Sequence, residues 1–66
     1  MTLHEFLSAL THDEKKRFAE DCKCSLGHLF NICSGFRRCG AELAIRIEKK
    51  TYGQVKKEEL APQIEW

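Results

Sequence analysis

The sequence has one proline and no apolar run near the roughly 18 residues that a membrane span requires. Its opening, MTLHEFLSAL, has neither the basic region nor the cleavage site of a secretory signal. We therefore expect a cytoplasmic protein that does not contact a membrane. The chain also lacks a glycine-rich phosphate loop and any hydroxyl, histidine and acid order that would suggest catalysis. Its 66 residues allow one domain with little room for a substrate pocket, so we expect no enzyme, no catalytic residue and no cofactor.

Four cysteines are the first candidates for special chemistry in so short a chain: Cys22, Cys24, Cys33 and Cys39. In a reducing compartment thiols stay reduced, which disfavours a disulfide framework. Zinc knuckles use C-x2-C pairs, whereas one, eight and five residues separate the successive cysteines here. We expect no metal site and cysteines that act as small core residues, with Cys39 the most exposed. A small zinc-dependent structural domain is one alternative.

The net charge of +1 conceals an uneven distribution along the chain. Residues 1–14 carry three acids, residues 15–38 carry six bases against two acids, and residues 39–66 are balanced. A basic centre of this kind attracts a polyanion such as nucleic acid. A solvated helix face would have the same composition, so charge alone leaves both interpretations open.

Capping signals mark the starts of the first three helices. Thr2 and Thr11 each begin a T-x-x-E capping box, in which two side chains satisfy free backbone N–H groups. Ser25 is a good N-cap for a third helix, whose apolar residues repeat at three and four positions as far as Cys33.

The remaining chain predicts a loop, a fourth helix and a short tail. Gly35 offers the left-handed conformation that ends a helix, and a strong helix pattern follows Gly40. One further helical turn is expected in the tail at 54–66. The predicted fold class is all-α, a small bundle of four or five helices forming a single domain over residues 1–66.

The second and third helices are predicted to form a helix-turn-helix at about 15–33. Only Lys23 and Cys24 separate their caps, a spacing too short for antiparallel packing. Lys23 takes a position where glycine is common, and it can adopt the left-handed conformation at a modest cost. Such a pair needs a small residue in its first helix, an apolar residue in the turn and apolar anchors in its second helix, and the sequence supplies Ala19, Cys24, Leu29 and Ile32.

A helix-turn-helix places its second helix, here about 26–33, in the major groove of DNA with its N-terminal residues facing the bases. The predicted base contacts are Ser25, Gly27, His28 and Asn31, of which Asn31 can pair bidentately with adenine. The predicted phosphate contacts are Lys15, Lys16, Lys23, Arg37 and Arg38. Helix capping alone would also explain Ser25, and close packing against the second helix would also explain Gly27.

The chain resembles the YdaS-type, Cro-like regulators of prophages, which are small members of the lambda-repressor-like group. The similar segments are TLHEFLSALTHDEKKRFAE, CSLGHLFNI with its S-x-G-x-L core, GFRR, ELAIRIE and the terminal EELAPQIEW, and they cover almost the whole chain. The resemblance implies a bundle of four or five helices that binds operator DNA as a transcriptional regulator, often a repressor. The chain departs from the pattern at Lys23, at Gly40, where a serine or threonine cap is usual, and in its number of cysteines.

The expected partner is double-stranded operator DNA, bound by a homodimer. One helix reads only a few base pairs, and two copies about 34 Å apart multiply affinity and specificity. The alternative is an antitoxin-like protein-interaction module whose tail at 54–66 docks on a toxin-like or phage protein.

Overall fold

The computed structural model describes residues 1–66 and contains five α-helices and no strand. The helices are α1 (Leu3–Ser8), α2 (His12–Asp21), α3 (Leu26–Ser34), α4 (Ala41–Lys50) and α5 (Lys57–Leu60). The predicted all-α class, a small bundle of four or five helices, is confirmed. None of the five helices has the length and apolar character that crossing a membrane requires.

Both predicted capping boxes form. The Oγ1 of Thr2 accepts from the N–H of Glu5, and the Glu5 carboxylate accepts from the N–H of Thr2, each at 3.1 Å. Thr11 and Glu14 make the same pair of bonds at 3.2 and 2.8 Å. The threonine N–H groups hold the pKa of both glutamates below the usual value. The starts of α1 and α2 are therefore fixed by local hydrogen bonds.

The core draws on α1 to α4 and on the segments around α5. Its apolar side chains, all less than one-tenth exposed, are Leu3, Leu7, Phe18, Ala19, Cys22, Leu29, Cys39, Ala44, Ile47, Val55 and Ala61. Two of these, Val55 and Ala61, belong to the predicted tail and have no exposed surface. The tail at 54–66 is therefore part of the folded body.

Hydrogen bonds and an ion pair connect the tail to α4 and to Cys39, which lies just before that helix. The backbone N–H of Lys57 donates to Glu48 at 2.9 Å, and the Lys57 ammonium lies 3.6 Å from the same carboxylate. This N–H is the main reason that the pKa of Glu48 is lowered. Further along, the amide of Gln63 donates to the carbonyl of Cys39 at 2.9 Å. These bonds join two parts of the chain that are distant in sequence.

The expectation that Cys39 is the most exposed cysteine is wrong. Cys39 is 1% exposed, whereas Cys24 and Cys33 are half-buried. The Cys39 side chain belongs to the core, and its carbonyl accepts from Gln63 of the tail; local sequence reveals neither contact. Burial raises the pKa of the Cys22 and Cys39 thiols to about 11, which keeps both neutral at physiological pH. All four cysteines are free thiols.

Thr51 is a buried polar residue that joins the end of α4 to the tail. Its hydroxyl donates to the carbonyl of Ile47 at 2.8 Å and accepts from the N–H of Val55 at 3.1 Å. In Thr51→Val the N–H of Val55 stays buried without a partner, so we expect the free energy of unfolding to fall by about 2 kcal/mol in urea titrations. Thr51→Ser keeps the hydroxyl and is expected to cost about 0.8 kcal/mol for the lost methyl group. Wild-type stability of the valine variant would contradict this prediction.

Candidate nucleic-acid interface

The turn between α2 and α3 is closed by backbone bonds. The N–H groups of Lys23 and Cys24 donate to the carbonyls of Glu20 and Ala19, at 2.9 and 3.0 Å. Lys23 has a φ of 59°, so the predicted left-handed lysine is confirmed. This conformation costs about 1 kcal/mol in a residue other than glycine. The side chain of Lys23 is exposed at the corner between the two helices.

The residues predicted to hold α2 against α3 lie on the inward side, as expected. Ala19 on α2 and Leu29 on α3 are buried, and Cys24 and Ile32 are half-buried against the same core. The two helices pack directly on each other. This contact fixes the direction in which the remaining face of α3 points.

The outward face of α3 is formed by exposed residues with helical spacing, namely Gly27, Phe30, Asn31 and Ser34. Ser25 is exposed at the N-cap, where its Oγ accepts from the N–H of His28 at 3.1 Å. His28 is half-buried at the edge of this face. Phe30 and Ser34 are not among the predicted contacts, although counting three and seven residues onward from Gly27 would have placed them on this face.

Gly27 leaves α3 without a side chain at the N-terminal end of its outward face. A Cβ atom added at Gly27 would meet no other atom within 4 Å. The suggestion that this glycine serves close packing against α2 is therefore wrong. Gly27 exposes a bare stretch of helix backbone that another molecule can approach closely.

Lys15 connects the start of α2 to the outward face of α3. Its ammonium lies 6.0 Å from the ring centre of Phe30, a cation–π contact, and its side chain is half-buried. Phe30 itself is 44% exposed. The contact holds a positive charge beside the residues predicted to read DNA bases.

The loop after α3 folds back onto its last turn. Gly35 has the predicted left-handed conformation, with a φ of 83°. The N–H groups of Phe36 and Arg37 both donate to the carbonyl of Asn31, at 3.0 and 3.3 Å. The loop that carries Arg37 and Arg38 is thus attached to the residue predicted to contact adenine.

The five cations predicted to contact phosphates have no acidic partner in the chain. The ion pairs involve only Arg46 with Glu42 and Lys57 with Glu48 and Glu58. The predicted phosphate contacts, Lys15, Lys16, Lys23, Arg37 and Arg38, belong to α2, to the turn before α3 and to the loop after it. Because no acid neutralises them, their charges remain available to a polyanion.

Clusters of metal-ligating side chains and enclosed cavities are the other features that could form a site. No three side chains of histidine, cysteine, aspartate or glutamate come together. One cavity of about 160 Å³ lies between α1, α3 and α5 and is lined in part by Thr2, Ile32 and Leu60. Sites for drug-sized ligands begin at roughly 300 Å³. The outward face of α3 and its surrounding cations are the strongest candidate site.

The chain matches no known protein-family model, and a search of curated proteins finds no significant match.

Proposed function

We propose that the protein binds double-stranded DNA as a transcriptional regulator, with α2 and α3 as a helix-turn-helix and α3 in the major groove. The observation that carries this proposal is the outward face of α3, where Gly27 and Asn31 are exposed among cations that no acid neutralises. Together with the resemblance to YdaS-type regulators, this favours a Cro-like prophage repressor that binds its operator as a homodimer.

The proposed reading of bases depends on close approach of the α3 backbone to the duplex. The missing side chain at Gly27 allows the N-terminal half of α3 to lie deep in the groove. Asn31 then presents an amide that can pair with adenine N6 and N7. Ser25 and His28 each offer one further hydrogen-bonding group to a base edge. These four residues supply sequence preference.

The proposed contacts to the sugar-phosphate backbone of DNA come from residues on both sides of α3. Lys15, Lys16 and Lys23 precede the helix, and Arg37 and Arg38 follow it. When α3 lies in the groove, these positions flank the two sugar-phosphate strands. Neutralising phosphates releases condensed counterions, so this part of the affinity depends strongly on salt.

A salt titration of DNA binding tests the proposal. Five phosphate contacts predict a log–log slope of about −4.5 for each protomer bound, a loss of several hundred-fold in affinity between roughly 50 and 200 mM salt, and a slope of about −9 for a homodimer on two half-sites. The measurement is fluorescence anisotropy on a labelled duplex of about 20 base pairs, long enough for two half-sites. Absence of binding at low salt, or binding that salt does not weaken, would overturn the proposal.

Charge-removing variants make the titration specific to the proposed site. Lys16→Gln with Arg38→Gln is expected to reduce the magnitude of the slope by about 2 for each protomer bound, because each protomer loses two phosphate contacts. The matched control, Lys50→Gln with Lys56→Gln, removes the same charge from exposed positions outside the site and is expected to leave the slope nearly unchanged. Equal effects of the two pairs would show that net charge, not this site, controls binding.

The antitoxin-like alternative has less support. Its docking segment is the tail at 54–66, whose apolar residues Val55 and Ala61 are buried within the chain itself. A toxin-like or phage protein partner would have to bind the exposed polar residues that remain, together with Trp66, which is 43% exposed.

A further inference from the structure

Tyr52, directly after α4, combines backbone strain with nearly complete exposure. Its φ is 55°, in the left-handed region that disfavours bulky side chains, and its side chain is 93% exposed. Asparagine or glycine would adopt this conformation with less strain. An aromatic ring that contributes so little to the fold indicates a contact with another molecule, since tyrosine is enriched at the energetic centres of protein interfaces.

Tyr52 extends an exposed stripe along the outward side of α4. The stripe consists of residues separated by three and four positions, namely Glu42, Ile45 and Lys49, and Tyr52 follows three positions later, after α4 has ended at Lys50. This is the spacing of the seam in a helix pair. Ile45 is 38% exposed, although Ala44 and Ile47 of the same helix are fully buried. No other element of the chain covers this stripe.

The charges of the stripe are complementary to those of a second copy. Glu42 lies three residues before Ile45 and Lys49 lies four residues after it. If two α4 helices pair antiparallel about a two-fold axis near Ile45, Glu42 of each copy faces Lys49 of the other. A parallel pair would instead oppose like charges. Glu42 is free to make such a contact, because its side chain is 88% exposed despite a 3.9 Å ion pair with Arg46.

We propose that this stripe is a docking surface for a second copy of the chain, with the two α4 helices antiparallel. Ile45 packs on its counterpart, two Glu42–Lys49 ion pairs flank it, and Tyr52 lies near the residues that precede α4 of the other copy. The proposal is independent of DNA binding. With so few residues on each side, the interface is smaller than the roughly 1,200 Å² of stable complexes, and self-association in solution is weak.

Charge reversal tests both the surface and the antiparallel arrangement. Glu42→Lys alone and Lys49→Glu alone place like charges opposite each other, and each is expected to weaken self-association about tenfold. The double variant restores opposite charges and is expected to associate like the wild type. Residues 42 and 49 are about 10 Å apart along one helix and cannot pair within a chain, so only pairing between chains explains restoration.

Mixing the two single variants tests the pairing of Glu42 with Lys49 between copies more directly. Each alone repels itself, whereas one copy of each creates two attractive pairs, so the equimolar mixture is expected to associate more strongly than either variant. Sedimentation equilibrium at low salt, up to about 1 mM protein, measures all four cases, with helicity checked by circular dichroism. A wild-type chain that stays monomeric, single variants that associate normally, or a double variant that fails to recover would each overturn the proposal.

Tyr52→Asn distinguishes an effect on self-association from an effect on the stability of the fold. Asparagine relieves the left-handed strain, so the melting temperature is expected to stay the same or rise while self-association weakens at least tenfold. Undiminished association of this variant would overturn the role of Tyr52. Because DNA binding is measured separately by the salt titration, its failure and the failure of this interface are distinguishable.

Discussion

Leu29→Ala is expected to lower the free energy of unfolding by about 3 kcal/mol. Leu29 has no exposed surface and anchors α3 in the core, so truncation removes apolar contacts and leaves a cavity. Alanine is at least as good a helix former as leucine, and the loss therefore comes from packing. In a domain of this size the melting temperature is expected to fall by roughly 15 °C, measured by circular dichroism.

Phe30→Ala is the matched control for Leu29→Ala. It truncates the next residue of the same helix, which is 44% exposed and contacts Lys15 through its ring face. We expect a loss of about 1 kcal/mol, because most of the cost of a core truncation requires full burial. Equal destabilisation by the two variants would contradict the assignment of an inward and an outward face to α3.

Asn31→Ala is expected to relax sequence preference and leave non-specific DNA binding intact. A bidentate contact to adenine discriminates against other bases by about 1–3 kcal/mol, so affinity for the preferred site should fall roughly 10- to 100-fold. Affinity for unrelated DNA should hardly change. The site is first selected from random duplexes, and anisotropy titrations then compare it with a scrambled one.

The control for Asn31→Ala is Arg38→Ala, which is expected to weaken both duplexes alike because a phosphate carries no sequence information. Loss of folding does not explain the Asn31 effect, since alanine has the higher helix propensity and the loop bonds use only the Asn31 carbonyl. If both variants reduced affinity uniformly on every duplex, the division into base and phosphate contacts would be wrong.

Local signals predicted the helix boundaries well, because caps depend on residues three or four positions apart. Thr2, Thr11 and Ser25 each accept the N–H bond that their sequence pattern predicts, and Gly35 ends α3 in the left-handed conformation. The left-handed turn at Lys23 was also predictable, since the spacing between two helices required it. In each case the cause lies within a few residues of the effect.

Contacts between distant segments were not predictable from the sequence. Cys39 is buried in the core and its carbonyl accepts from Gln63, far along the chain, and Val55 is buried in a turn that Thr51 holds through its hydroxyl. For the candidate site, sequence suggested cationic residues but did not show which cations lack an acidic partner. Whether a cation has an acidic partner depends on side-chain positions in the folded chain, as the pairing of Lys57 with Glu48 illustrates.

The basic loop between α3 and α4 is held at both ends. At its start, Phe36 and Arg37 bond the carbonyl of Asn31; at its end, Gln63 bonds the carbonyl of Cys39. A loop fixed in this way has already lost much of its conformational entropy during folding, so less remains to be lost when it meets a ligand. Gln63, near the end of the chain, thereby lowers the entropy that Arg37 and Arg38 lose when both bind one ligand.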